Sequence, residues 1–479
     1  MLNLKMFINN EWVDAKSGET FDDFEPYSGE LYAKVPKAGA EDVEAVMKAA
    51  YDARAGWAST PPAARGQLLM KVARIIEEKR LEFADVLQRE SGSTFGKAMF
   101  EIDATIDLLY TAAGDAKLVM GETYHTNLNR FNMSVRRPRG TIVTITPWNF
   151  PMILSMYKIA YGLATGNTVV HKPSSDTPHI ALKVAEAFQE AGLPAGALNV
   201  ITGPGGGLGD LLIADKRCSY VAVTGSTKTG RHVAVEAAKH FKQYYLELGG
   251  KNPLIILKDA DMEYAVKTTI MSGFLHQGEI CMSADRIIVE EPFAEEFTKQ
   301  LVGAVSHLPC GDPKDPKTFI GPVINDRQVQ DIDALVKDAV AKGAKLLTGG
   351  TYEGRVYAPT VLKDITPDMR IYHEETFGPV VTIIPVKDVE EALKVANDTT
   401  YGLSSGVITS NYENAMYLAN GLEAGMIHIN GGTVDADSVA PFGGVKESGM
   451  GREGGRYSWE EFTEVHWLTM DIRKQQYPF

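Results

Sequence analysis

Thr141-Ile-Val-Thr-Ile-Thr, Asn167-Thr-Val-Val-His-Lys, Asn199-Val-Ile-Thr and Tyr220-Val-Ala-Val-Thr are short runs of one kind. Each is rich in β-branched residues, is followed by Gly or Pro, and gives way to a helical pattern such as Ala181 to Ala191 or His232 to His240. β-Branched side chains suit a pleated surface. Strands alternating with helices predict a parallel sheet with helices on its faces, and such a sheet binds ligands at the carboxyl ends of its strands. The alternation resumes at Asn252-Pro-Leu-Ile-Ile-Leu and Arg286-Ile-Ile-Val-Glu. It recurs at Lys345-Leu-Leu-Thr, Val380-Val-Thr-Ile-Ile-Pro-Val and Gly406-Val-Ile-Thr. The expected class is α/β, with two doubly wound parallel sheets, the second starting near Gly249-Gly250.

Outward from this centre, Phe7 to Val13 and Glu30 to Val35 read as short strands around a turn at Tyr27-Ser-Gly. Ala40 to Ala58, Pro62 to Ser91 and Thr94 to Met120 read as helices from their apolar spacing. Tyr124 to Arg137 and the tail Glu464 to Ile472 alternate instead, and are expected to be strands of a small protruding third unit. A chain of 479 residues is too long for one core. Its net charge of −14 and the lack of a Lys/Arg-rich block speak against nucleic acid or an anionic membrane as partner. Cys218, Cys281 and Cys310 make no disulfide framework. The N-terminus carries no secretory pattern and no apolar run is of membrane-spanning length. A reduced, cytoplasmic protein with no metal site is expected.

Several windows have the residue types of a reaction centre. Cys281 lies in Gly273-Phe-Leu-His-Gln-Gly-Glu-Ile-Cys-Met-Ser, where Gly278 lets the chain turn and the polar flank suggests partial exposure. A nucleophilic thiol and a buried structural one both fit that window. Val223-Thr-Gly-Ser-Thr-Lys-Thr-Gly-Arg follows a strand and opens a helix, which suits a phosphate or an ordinary capped helix start. Gly203-Pro-Gly-Gly-Gly-Leu-Gly departs from G-x-G-x-x-G and reads first as a strand-to-helix turn. In Pro147-Trp-Asn-Phe-Pro two prolines stiffen a turn that either aims the Asn149 amide into a cleft or caps itself. Glu247, between two leucines in Leu246-Glu-Leu-Gly-Gly-Lys, is a general-base candidate or a residue of an exposed edge strand. Glu374-Glu-Thr-Phe-Gly-Pro offers two acids, one of which could accept from a ribose; the other reading is a solvated loop.

Taken in order, Pro147-Trp-Asn-Phe-Pro, His171-Lys-Pro-Ser, Thr224-Gly-Ser-Thr-Lys-Thr-Gly, Leu246-Glu-Leu-Gly-Gly-Lys, Gln277-Gly-Glu-Ile-Cys, Glu374-Glu-Thr-Phe-Gly-Pro and Pro441-Phe-Gly-Gly-Val-Lys-Glu-Ser-Gly resemble the NAD(P)-dependent aldehyde dehydrogenase superfamily over nearly the full length. The resemblance implies a cofactor-binding domain (1–120 and 140–248), a catalytic domain (249–462) and a β oligomerisation arm (121–139 and 463–479), assembled as a homodimer or homotetramer. It makes Cys281 the nucleophile, Glu247 the base, and Asn149 with the Cys281 N–H the oxyanion hole. It places Lys172 and Glu375 on the two riboses, Phe377 by the nicotinamide, and Thr224, Gly225, Ser226 and Gly230 around the pyrophosphate. Thr146, Trp148, Ser174, Ser175, Gly203, Gly205 and Leu248 fall at further cofactor positions; Cys218 and Cys310 match no motif and are read as structural.

One departure bears on the cofactor. NAD-preferring relatives commonly carry an acid where this chain has Ser175; serine removes the repulsion of a 2′-phosphate, so NADP is expected to be accepted or preferred over NAD. By the same register Leu154, Tyr157, Leu275, Ile280, Met282 and Phe442 line the aldehyde tunnel, with Val439 nearby. That lining is apolar with one phenol, which favours an aromatic aldehyde over a carboxylate-bearing semialdehyde. Asn430-Gly-Gly-Thr-Val-Asp together with the Cys281 window resembles the benzaldehyde and vanillin dehydrogenase branch. The alternatives are an aliphatic aldehyde or semialdehyde as substrate, transfer of the acyl group to CoA, and a non-catalytic structural protein on the same fold. Glu247 speaks against CoA transfer, and the presence of Cys281, Glu247 and Asn149 together speaks against a bare scaffold.

Overall fold

The computed structural model describes residues 1–126 and 130–479. The β-branched runs form the middle of an eight-stranded sheet. Its order is Gly449–Met450, Gln243–Glu247, Tyr220–Thr224, Thr141–Ile145, Thr168–Lys172, Leu198–Val200, Met6–Ile8 and Glu11–Val13. The five inner strands from Gln243–Glu247 to Leu198–Val200 are parallel, and the flanking pairs are antiparallel. Neighbouring residues on one strand face opposite cores, as the pleat requires. Ile142 and Val169 join a core with Leu69, Leu109 and Ile159, whereas Val143 and Val170 join Met47, Leu212 and Val233 on the other face. Helices therefore cover both sides.

A seven-stranded sheet follows, in the order Lys345–Thr348, Thr360–Lys363, Val380–Val386, Ala284–Glu290, Asn252–Ile256, Ser404–Ile408 and Met426–Ile429. It is parallel except for its Lys345–Thr348 edge. The α/β class with two such sheets is what the alternation implied. Strand Arg130–Pro138 pairs with Thr463–Asp471 along its whole length as a two-stranded arm. Part of the strand expected over Tyr124 to Arg137 falls on 127–129, outside the described residues.

Three local features differ from the sequence reading. The helix expected over Pro62 to Ser91 breaks at Lys79 into Pro62–Glu78 and Arg80–Ser91, and the next one ends at Asp115. Thr20–Phe24 is a strand that its two acids conceal; Asp23 is buried there, and burial lifts its carboxyl to about 8. Residues 449–461, expected in the second domain, give a strand to the first sheet and the helix Gly455–Glu461, which packs on Phe95–Asp115 and Pro151–Ala164. No helix among the described residues is long and apolar enough to cross a membrane.

Candidate active site

Three carboxyl ends of the first sheet converge on one place. Thr141–Ile145 runs into the Pro147 turn, Tyr220–Thr224 ends at Thr224, and Gln243–Glu247 ends at Glu247. The second sheet supplies Cys281 on the loop entering strand Ala284–Glu290. That loop is bent by consecutive positive φ values at His276 (49°), Gln277 (44°) and Gly278 (71°). Gly278 is needed on a second count: a Cβ there would lie 2.1 Å from the Gly378 carbonyl. Asn252 ties the loop down, donating to the carbonyls of Cys281 (2.8 Å) and Ser283 (2.9 Å).

Two cavities meet at Cys281. One, of about 530 Å³, is lined by Trp148, Thr224, Gly225, Ser226, Leu248, Glu375 and Phe377 among others. The other, of about 680 Å³, is lined by Phe150, Leu154, Tyr157, Ile280, Met282 and Phe442 among others. Asn149, Leu154 and Cys281 border both. The half-buried thiol thus faces a cavity on either side.

Asn149 Nδ2 donates to the Glu279 carbonyl at 3.0 Å, leaving its second N–H unengaged. The Cys281 backbone N–H has no acceptor among the described residues. Glu247 is buried, with both carboxylate oxygens unpartnered. The exposed edge strand offered as its alternative is therefore not what forms. Burial first, and the Glu453 carboxylate second, push the Glu247 carboxyl well above the usual range, against the pull of Lys158 and Arg452. Glu453 is itself engaged by Lys158 Nζ at 2.9 Å and by the Tyr245 hydroxyl. Burial also pushes the Cys281 thiol up, as do the carboxylates of Glu375 and Glu247.

The first cavity has the features of a dinucleotide cleft. Ser226 caps the helix Thr227–Lys239, accepting from the Thr229 N–H, so a helix N-terminus opens at the wall. A Cβ on Gly249 would lie 2.5 Å from Glu375, and one on Gly230 2.5 Å from Leu248, so the glycines let the backbone lie close. Of the two acids in Glu374-Glu375, both of which line this cavity, the first is half exposed and paired with Arg370. The second turns inward, accepts from the Gly250 N–H at 3.0 Å, and is lifted by burial to about 7. Trp148 and Phe377 meet edge to face at 5.4 Å.

Other expected residues stand apart from that wall. Thr146 bonds Ser155 behind it at 3.0 Å, and Lys172, lowered to about 8 by burial, donates to the Pro173 carbonyl. Ser174 donates to Asp176, Ser175 is half-buried beside it, and Gly203 precedes Gly205, the first residue of a helix. Leu275 begins the 3-10 turn and packs, half-buried, against the core that includes Leu154, Tyr157 and Phe442, next to the residues that line the second cavity.

Sequence windows reached the rim only at Val439 and, within Asn430-Gly-Gly-Thr-Val-Asp, at Asp435. Asp103 and Asp107 on the helix Phe95–Asp115 and Asp435 and Asp437 on the loop after Met426–Ile429 line the same cavity, with Phe100 and Val439. They are far apart in sequence, and no signal short of the fold joins them. Cys310, expected to be structural, is exposed, whereas Cys218 is buried.

Converging strand ends, a thiol between two cavities and a buried unpartnered carboxylate mark this place as the candidate active site of an α/β enzyme. The family model for the aldehyde dehydrogenase family matches residues 12–468, and the chain belongs to that family. It is 38% identical to a benzaldehyde dehydrogenase of Bacillus subtilis (strain 168), over 99% of this chain and 98% of the relative. It is also 38% identical to a vanillin dehydrogenase of Pseudomonas fluorescens over all of both chains. A crystal structure of a salicylaldehyde dehydrogenase from Pseudomonas putida G7, complexed with salicylaldehyde, superposes with a TM-score of 0.97 at 40% identity, covering 100% of both chains. The protein is an NAD(P)-dependent aldehyde dehydrogenase.

Proposed function

We propose that this enzyme oxidises an aromatic aldehyde to the carboxylic acid. The observation that carries the reading is the position of Cys281 between a glycine-lined cleft and a tunnel walled by Phe100, Phe150, Tyr157 and Phe442. Tyr157 and Phe442 are near-parallel, 27° apart with centroids at 6.3 Å, which suits a flat ring. Relatives named for benzaldehyde and vanillin oxidation, and one holding salicylaldehyde, support the same class.

The thiol proton passes to the Glu247 carboxylate and the sulfur adds to the aldehyde carbon. The oxygen gains the carbonyl electron pair and meets the free N–H of Asn149 and the Cys281 N–H, a kind of donor worth about 3 kcal/mol each. The nicotinamide cofactor, when bound, supplies the acceptor for the hydride released as that oxyanion collapses. A thioester is left on Cys281. Glu247 then gives the thiol's proton up to solvent and takes another from water, the hydroxide adds to the thioester carbon, and the sulfur leaves with its electron pair and regains a proton from Glu247. Glu247, buried and near enough for its charge to raise the Cys281 thiol, favours water over CoA as acyl acceptor.

Ser175 supports use of NADP as well as NAD. The test is a panel of benzaldehyde, vanillin, hexanal and succinic semialdehyde with both cofactors, read as reduced nicotinamide absorbance. Aryl aldehydes should lead, with NADP within about tenfold of NAD by the charge argument. Fastest turnover of succinic semialdehyde would refute the substrate class, and NADP turnover far below that of NAD would refute the Ser175 reading. Folded Cys281→Ala should make no reduced nicotinamide.

The two-stranded arm supports a homodimer or homotetramer, since Val465, Trp467 and Met470 are 59%, 70% and 57% exposed. Light scattering should then give a multiple of 52.3 kDa; a single-chain mass would exclude it.

A further inference from the structure

Beneath the Pro147 turn lies a fully buried ion pair that the reaction steps above do not use. Lys97 Nζ lies 2.6 Å from Glu101 Oε2, one turn on along the helix Phe95–Asp115, and both side chains are 0% exposed. The order, Lys before Glu, is the weaker one for stabilising a helix from within. Desolvating both charges costs more than such a pair usually returns. Its placement must therefore be explained by what it holds.

It holds the oxyanion turn from both ends. Lys97 Nζ donates to the Asn149 carbonyl at 2.7 Å and sits 4.1 Å over the Phe150 ring. Glu101 Oε1 accepts from the N–H groups of Met152 (2.8 Å) and Ile153 (3.2 Å), in the first turn of the helix Pro151–Ala164. Phe150 in turn meets His276 of the Cys281 loop edge to face at 5.4 Å. Every residue from Asn149 to Ile153 except Pro151 is thus gripped by this one pair.

We propose that Lys97 and Glu101 are positioning residues, a buried clamp that fixes Asn149 Nδ2 relative to Cys281. The proposal rests on Asn149 being the oxyanion donor. A donor displaced by a fraction of an ångström still leaves the thiol and both cavities intact, so the clamp should act on turnover and not on binding.

The test compares wild type with Lys97→Met/Glu101→Gln, which removes both charges together and keeps an oxygen to accept from Met152 and Ile153. The expected result is a kcat lowered roughly 30- to 100-fold, as for loss of a placed donor. Aldehyde and cofactor KM, and the rate of Cys281 alkylation by iodoacetamide, should stay within about threefold, because neither depends on that donor. Asn149→Ala should lower wild-type kcat by about 100-fold but the double variant by less than about threefold, since residues acting as a unit are not additive. A kcat within threefold of wild type in the folded double variant, or a full Asn149→Ala effect in that background, overturns the clamp. The isosteric Glu101→Gln alone guards against misfolding of the double variant; it should lower kcat by about tenfold at unchanged KM, and unchanged kcat overturns the clamp equally. If Asn149→Ala leaves wild-type turnover intact, the oxyanion assignment itself falls, and that result is separable from the others.

Discussion

Glu247 and Cys281 share a difficulty that also explains their pairing. Burial resists charge on either, and the charge of each resists charge on the other. A proton moved from sulfur to carboxylate keeps the pair at one negative charge throughout. The same logic gives the hydrolytic step a pH dependence. In the proposed mechanism Glu247 must be a carboxylate to accept the proton of water, so the rate should rise as pH climbs through its raised pKa. Glu453 is the second cause of that elevation, after burial. Glu453→Gln removes a negative neighbour and leaves the Lys158 cation without its carboxylate partner. Both changes favour ionised Glu247. The acid limb of single-turnover thioester hydrolysis should therefore move to lower pH, by about one unit for one nearby charge. An unchanged limb, or one moved upward, would show that Glu453 does not set the base.

Among the elements, the strands were legible and the loop that carries Cys281 only half so. Thr141–Ile145, Thr168–Lys172 and Tyr220–Thr224 are buried on both faces, which is what continuous β-branched runs signal. Gly278 was legible because glycine tolerates a left-handed backbone. His276 and Gln277 were not, because tertiary partners hold them there: Gln277 donates to the Pro322 carbonyl at 2.8 Å and accepts from the Gly321 N–H at 3.3 Å. The strand Gly449–Met450 was hidden for a similar reason, since its partner Leu246–Glu247 is some 200 residues away in the chain. The loop can be tested at its tightest point. Gly278→Ala forces a Cβ onto the Gly378 carbonyl at a φ of 71°. It should cost on the order of 2 kcal/mol of stability, seen as a lower melting temperature. It should also lower kcat more than cofactor KM, because the displaced segment carries Cys281. Wild-type melting and turnover would mean that the loop has slack that its contacts do not show.

On the scale of the whole molecule, the tunnel is a charged entrance to an aromatic interior. A chain of net charge −14 already repels anions, and the aspartates concentrate that field at the cavity proposed to take the aldehyde. Asp103 is offset by Arg80. Among the described residues Asp435 has only His428 as a partner, at 3.5 Å, and burial pushes that ring toward the neutral form. Asp107 and Asp437 have no cationic partner among the described residues. A hydrogen bond between Thr111 and Ser438 (2.8 Å) ties their two elements together across the opening. An aldehyde with a carboxylate on its far end must pass this collar and then leave its charge beside it. With 4-carboxybenzaldehyde, kcat/KM should lie about tenfold or more below that of benzaldehyde at low salt, the scale of electrostatic steering effects. Because the collar is exposed, added salt should narrow the gap as the screening length falls below about 5 Å. Asp107→Asn/Asp437→Asn should narrow it without salt while leaving benzaldehyde turnover unchanged. Equal use of the two aldehydes by the wild-type enzyme at low salt would mean that the ring alone decides entry and the collar has no part in selection.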